Sequence, residues 1–166
     1  MSPLQLAQVN IGRALAPLTD NVMQGFVTQL DAVNALAEQA PGFVWRLKDD
    51  AGASSSYIQA FDDPLVLVNL SVWESIEALE DFTYHTLHAA VLRDRARWFE
   101  RSARASLALW WIPRGHLPTV EEAKQRLARL WEHGASPAAF TFRERFPPVS
   151  GGPSPPAAAA APGRRD

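Results

Sequence analysis

Residues 65–82 read LVLVNLSVWESIEALEDF, and their patterning decides the fold. Leu65 to Trp73 is dense in Val and Leu, which favours a strand. Side chains alternate across a strand, so one face carries Leu65, Leu67, Asn69, Ser71 and Trp73, and the other carries Val66, Val68, Leu70 and Val72. Both faces are mostly apolar. A strand of this kind sits in a sheet covered on both sides.

Working outward, residues 4–11 (LQLAQVNI) alternate and predict a first strand. Asp20 to Ala40 predicts a helix, with Val22, Phe26, Leu30, Val33 and Ala37 on one stripe, stopped by Pro41-Gly42. Phe43 to Leu47 predicts a second strand, and residues 49–56 (DDAGASSS) a polar turn region. Asp81 to Arg101 reads as one long helix, Ser106 to Ile112 as a fourth strand ended by Pro113, and Thr119 to His133 as a third helix. That third helix opens on a capping box, Thr119-x-x-Glu122, and stops at Gly134. Phe140 to Phe146 reads as a short extended segment. The order βαββαβ, followed by a helix and a short strand, is the ferredoxin-like α+β pattern, four antiparallel strands with two helices on one face. Two helices cover one face only. The second face needs the sheet of a second copy in a C2 dimer, the favoured cover, or the additional C-terminal helix.

The chain has 166 residues, of which 47% are hydrophobic and 20% charged, with a formal net charge of −2 and no cysteine. One domain is expected at this length, over residues 1–146. Residues 147–166 (PPVSGGPSPPAAAAAPGRRD) are so rich in Pro, Ala and Gly that they predict a disordered tail. The charge balance argues against nucleic acid or an anionic membrane as partner. Without cysteine there is no disulfide framework, thiolate metal site or cysteine nucleophile. The start of the chain has no basic segment followed by an apolar run, and no apolar run approaches the ~20 residues of a membrane span. The expectation is a cytoplasmic protein.

Several segments together carry a family resemblance: Trp73-x-Ser75-x-Glu77-x-Leu79-x-x-Phe82, Arg95-x-x-Trp98-Phe99, Trp110-Trp111-x-Pro113-x-Gly115-His116-x-Pro118-Thr119-x-x-Glu122-Ala123, and Ala139-Phe140-Thr141-Phe142. Over about residues 3–146 the chain resembles a bacterial domain-of-unknown-function family in the dimeric α-β barrel superfamily, which includes the antibiotic-biosynthesis-monooxygenase-like proteins. The resemblance implies a homodimer with facing sheets and, in each subunit, a pocket between sheet and helices. It implies no single chemistry. Haem-degrading members of the superfamily use an Asn, a Trp and a His. Here Asn10, Trp73 or Phe82, and His85 or His88 stand nearest to that set, with spacing that does not match, so no cofactor is expected and haem ranks low.

The long second helix holds the candidate chemistry. At helical spacing Tyr84, His85, His88, Val91, Leu92, Arg95, Trp98 and Phe99 share the side that packs on the sheet. Imidazoles there move protons near neutral pH, and a sheltered guanidinium needs an anion. His85 and His88, three residues apart, are expected to converge. The bland reading of the same residues is helix-edge packing, with Arg95 paired to a core carboxylate. His85 and His88 with His116 make only a weak metal set. Asn69 and Ser71, mid-strand, are candidate ligand contacts, with Asn69 a donor to a substrate carbonyl oxygen; the bland reading of the pair is a water-filled dimer interface. Trp45, Trp73, Tyr84, Trp98 and Trp111 are candidate walls for a planar substrate, whereas Trp131 reads as core. His85, His88 and Arg95 are thus the candidate catalytic residues. The expected activity is that of a cofactor-independent monooxygenase on an apolar, aromatic or polyketide-like molecule. The alternatives are a redox-neutral cyclase, isomerase or lyase in the same pocket, and a non-catalytic ligand-binding or stress-associated dimer.

Overall fold

In the computed structural model, which describes residues 2–86 and 88–149, four strands form one antiparallel sheet. β1 spans Leu4–Arg13, β2 Phe43–Arg46, β3 Val66–Trp73 and β4 Leu107–Pro113, in the order β2-β3-β1-β4. The helices are α1 (Gln24–Gln39), α2 (Ile76–His85), α3 (His88–Arg93) and α4 (Val120–His133). This is the ferredoxin-like α+β arrangement. The register places Gln8 opposite Ser71 and Asn10 opposite Asn69, so the polar residues of the two central strands share one face. Gly42 makes the turn from α1 into β2 at φ 81°, where a Cβ would lie 2.5 Å from that of Ala78. Only glycine fits there without strain. Residues 140–146 reach the sheet at a single bridge between Leu109 and Phe140.

The helix expected over residues 81–101 is corrected. Helical structure starts earlier, at Ile76, because the Ser75 side chain accepts a hydrogen bond from the Ala78 N–H and caps it. It stops at His85. Thr86 is extended, its Oγ1 donates to Phe82 O at 2.5 Å, and the His88 N–H donates to that same Oγ1 at 3.2 Å. The threonine hydroxyl therefore replaces main-chain bonds at this point. The chain restarts as the short α3 and a single 3-10 turn, Arg95–Arg97.

One sheet face packs on α1 and α2 through Leu6, Ala37, Trp73, Ile76, Leu79, Phe82, Leu109 and Phe140, all buried. The opposite face carries Ala7, Val9, Val68, Leu70, Val72, Ala108, Trp110 and Ile112. These pack on Ala123, Leu127 and Leu130 of α4, with Ala60 and Phe61 over the β2–β3 side. Val9, Leu70, Val72 and Trp110 are fully buried within the single chain. Within the single chain α4 and the segment before β3 cover this face, the cover named in the sequence beside a second copy's sheet.

The capping box of α4 is half formed. Thr119 Oγ1 accepts from the Glu122 N–H at 3.1 Å, but the Glu122 carboxylate turns away to Trp110 Nε1 at 3.0 Å and His116 Nε2 at 2.7 Å. His116 is thus tied into the strand-to-helix connection. At the far end of the sheet, Arg114 pairs with Glu74 through two bonds of 2.9 and 2.6 Å, holding the Glu74 carboxyl below the ordinary range. No helix among the described residues is long and apolar enough to cross a membrane. The proposed tail, residues 147–166, falls outside the described residues from Ser150 onward.

Candidate functional site

Between the polar sheet face and α1, α2 and α3 lies a cavity of about 470 Å³, within the ordinary range for small-molecule sites. Its floor is Gln8 and Asn10 of β1 with Asn69 and Ser71 of β3. Trp73, Phe43 and Phe82 form one end. Phe82 stacks on Trp73 with ring centroids 5.2 Å apart, and Phe43 meets Trp73 edge-on at 5.4 Å. Phe26, Leu30 and Val33 of α1 and Val91 and Leu92 of α3 supply apolar walls.

The floor is a closed hydrogen-bond chain. Gln8 Nε2 donates to Asn69 Oδ1 at 2.6 Å and to Ser71 Oγ at 2.8 Å, and Trp73 Nε1 donates to Ser71 Oγ at 2.9 Å. Gln8 and Ser71 are buried. With Asn69 Oδ1 and the lone pairs of Ser71 Oγ occupied, the groups left to serve a ligand are donors: the Asn69 amide N–H and the Ser71 O–H.

His88 stands over this floor at the start of α3, its ring 5.2 Å from that of Phe82. Its Nδ1 lies 3.3 Å from Thr83 O. A carbonyl only accepts, so Nδ1 carries the hydrogen and Nε2 is left as an acceptor. Burial pushes the imidazole below its ordinary value, opposed by the smaller pull of the Thr83 carbonyl. The ring is therefore neutral and basic at Nε2 near neutral pH.

Arg95, half-buried, reaches Ile11 O at 3.4 Å and lies over the Phe99 ring at 5.9 Å. No carboxylate among the described residues pairs with it, unlike Arg46, whose Nε is 2.8 Å from Glu38. The lining includes Arg46, Arg95, Arg143 and His88, and no Asp or Glu among the described residues.

Of the residues singled out in the sequence, the cavity brings together His88, Arg95, Asn69, Ser71 and Trp73, with Tyr84 half-exposed at its rim. Others lie elsewhere. His85 is exposed on the outer surface, because the break at Thr86 removes the helical register that would have aligned it with His88. Trp45 pairs with Val72 after an irregularity in β2 and packs on the opposite face. Trp98 is one layer behind the wall, against Phe26 and Met23. Trp111 shares the cavity-side face but sits at the β4 edge, its Nε1 bonded to Phe146 O at 2.8 Å. His116 is held by Glu122, and no three His, Asp or Glu side chains among the described residues gather to hold a metal. Gln8 and Arg46 were missed. The signal for Gln8 was available: it alternates with Leu6 and Asn10 in a strand otherwise destined for burial.

Fold and site together define a ferredoxin-like α+β protein with a cavity between sheet and helices. The chain belongs to the family described as a domain of unknown function, DUF3291, whose model matches residues 5–154. No protein of curated function matches it. Among solved structures it is similar to PA3566 from Pseudomonas aeruginosa (17% identity, TM-score 0.45, covering 70% of this chain and 98% of that one). It is similar also to NE2512, a protein of unknown function from Nitrosomonas europaea (14% identity, TM-score 0.43, 70% and 97% covered). A third is a putative antibiotic biosynthesis monooxygenase from Nitrosomonas europaea (14% identity, TM-score 0.39, 70% and 93% covered). At such values the likenesses carry no argument about chemistry.

Proposed function

We propose that the protein is a small-molecule enzyme that removes a proton from a planar, largely apolar substrate and directs the resulting carbanion to O2 without a cofactor. The observation that carries this reading is the pairing of a neutral imidazole base with a donor floor. His88 lines the cavity, its Nδ1 on Thr83 O leaves Nε2 as the free nitrogen, and Asn69 and Ser71 have an N–H and an O–H left for an oxygen of the substrate. Delocalising the negative charge onto that oxygen lowers the cost of deprotonation. The walls around Trp73, Phe82 and Phe43 suit a flat ring system.

For an activated methylene the chemistry balances as follows. His88 takes one C–H proton. The carbanion electrons form a C–O bond to O2, and the protonated His88 returns its proton to the terminal oxygen to give a hydroperoxide. Loss of the second C–H hydrogen with cleavage of the O–O bond releases water and leaves C=O. One oxygen atom is retained and the other leaves as water. Every group that this sequence uses lies in one chain.

The test is O2 uptake with anthrone-type substrates, alongside solvent deuterium exchange at the same carbon without O2. Uptake with a ketone product, lost in His88→Gln, supports the reading. Exchange without uptake would favour the redox-neutral isomerase or cyclase. Neither exchange nor uptake would leave a binding protein.

A further inference from the structure

We infer that the cavity selects an elongated aromatic acid, whose carboxylate is held by Arg95 at the end remote from the aromatic cluster. This inference rests on the proposed site and names its substrate class. The strand register orders the chemistry along the cavity. Trp73 and Phe43 form one row, Ser71 and Gln8 the next on that face, and Asn69 and Asn10 the one after. Arg95 meets the sheet at Ile11, which pairs with Val68. Four residue steps along the strand separate Trp73 from Asn69, roughly 13 Å at the rise of a β-strand. Aromatic stacking surface therefore lies at one end, neutral donors and the Glu38-paired Arg46 lie in the middle, and Arg95 lies at the other end.

Charge makes the same argument independently. The lining includes arginines at 46, 95 and 143 and no acid among the described residues. Arg46 has Glu38 beside it, whereas Arg95 has one long bond to a carbonyl and lies over the Phe99 ring. A half-sheltered guanidinium with most of its five donors unused is completed by a carboxylate, which it binds in bidentate fashion. Base and carboxylate holder are separate: His88 stands beside Phe82, toward the aromatic end. The acid is thus a binding handle rather than the reacting group.

The test is calorimetric titration of the intact protein with biphenyl-4-carboxylate, its carboxamide, and benzoate. Biphenyl-4-carboxylate is expected to bind at least about tenfold tighter than either of the others. Arg95→Gln is expected to abolish the acid-over-amide preference while leaving the amide's affinity within about twofold, and Arg95→Lys to restore part of the preference. His88→Gln is expected to leave the preference intact, so a failed catalytic proposal and a failed carboxylate site give different results. Equal binding of acid and amide by the native chain, no binding of either, or a preference that survives Arg95→Gln would overturn the inference. A preference lost on Arg46→Gln instead would also do so.

Discussion

Trp73 Nε1 donates to Ser71 Oγ at 2.9 Å, two residues back along the same strand. The bond exists because i and i+2 share a face. It orients the largest ring of the cavity and, with the bond from Gln8 at 2.8 Å, fills both lone pairs of the serine. Trp73, Gln8 and Ser71 are all buried.

Ser71→Ala is therefore expected to strand two buried N–H donors and destabilise the protein by about 1–3 kcal/mol. Urea unfolding measures it. A change below about 0.5 kcal/mol would mean that the floor is not the closed chain described.

Leu127 is fully buried against the sheet face opposite the cavity. Leu127→Ala is expected to cost about 2–5 kcal/mol, the range for removing a buried leucine side chain. A change near zero in equilibrium denaturation would show that α4 does not cover the sheet in solution.

The neutral state of His88 has a thermodynamic signature. Its pKa in the folded protein lies below the ordinary 6.5 because of burial, so between that lowered value and 6.5 the unfolded chain binds more protons. Stability then falls as pH drops through this window and is unaffected by His88 above it. Glu38 and Glu74, both held below their ordinary 4.5 by arginine or lysine partners, contribute stability that is lost only in a more acidic range. His88→Gln is expected to flatten the melting temperature between pH 6.5 and the onset of that acid loss. An unchanged slope would place the imidazole in water.

Element order and class were legible because alternation, Pro41-Gly42, Pro113 and the Thr119 cap mark element ends locally. The break at Thr86 was not. His88, Val91, Leu92 and Arg95 continue the stripe of α2 at helical spacing, whereas Thr86 between them is extended, with its hydroxyl on the Phe82 carbonyl. That error placed His85 inward and brought Trp98 into the cavity. The span of α4 was legible from its cap and its Gly134 stop, but not the surface it covers, because docking is decided by residues far apart in sequence. Asn69 and Ser71 stood out as polar residues in an apolar strand. Arg46 did not, since its alignment with Ser71 follows an irregularity at Val44 that leaves no local signal.

The central claim is that His88 is a neutral base with its hydrogen on Nδ1 and Nε2 free toward the cavity. Long-range proton–nitrogen NMR of the histidine rings, titrated through the acid range with His88→Gln to assign the signal, tests it most directly. The account predicts the Nδ1–H tautomer and a protonation midpoint below 6.5. An Nε2–H tautomer, or a midpoint at or above 6.5, would contradict it.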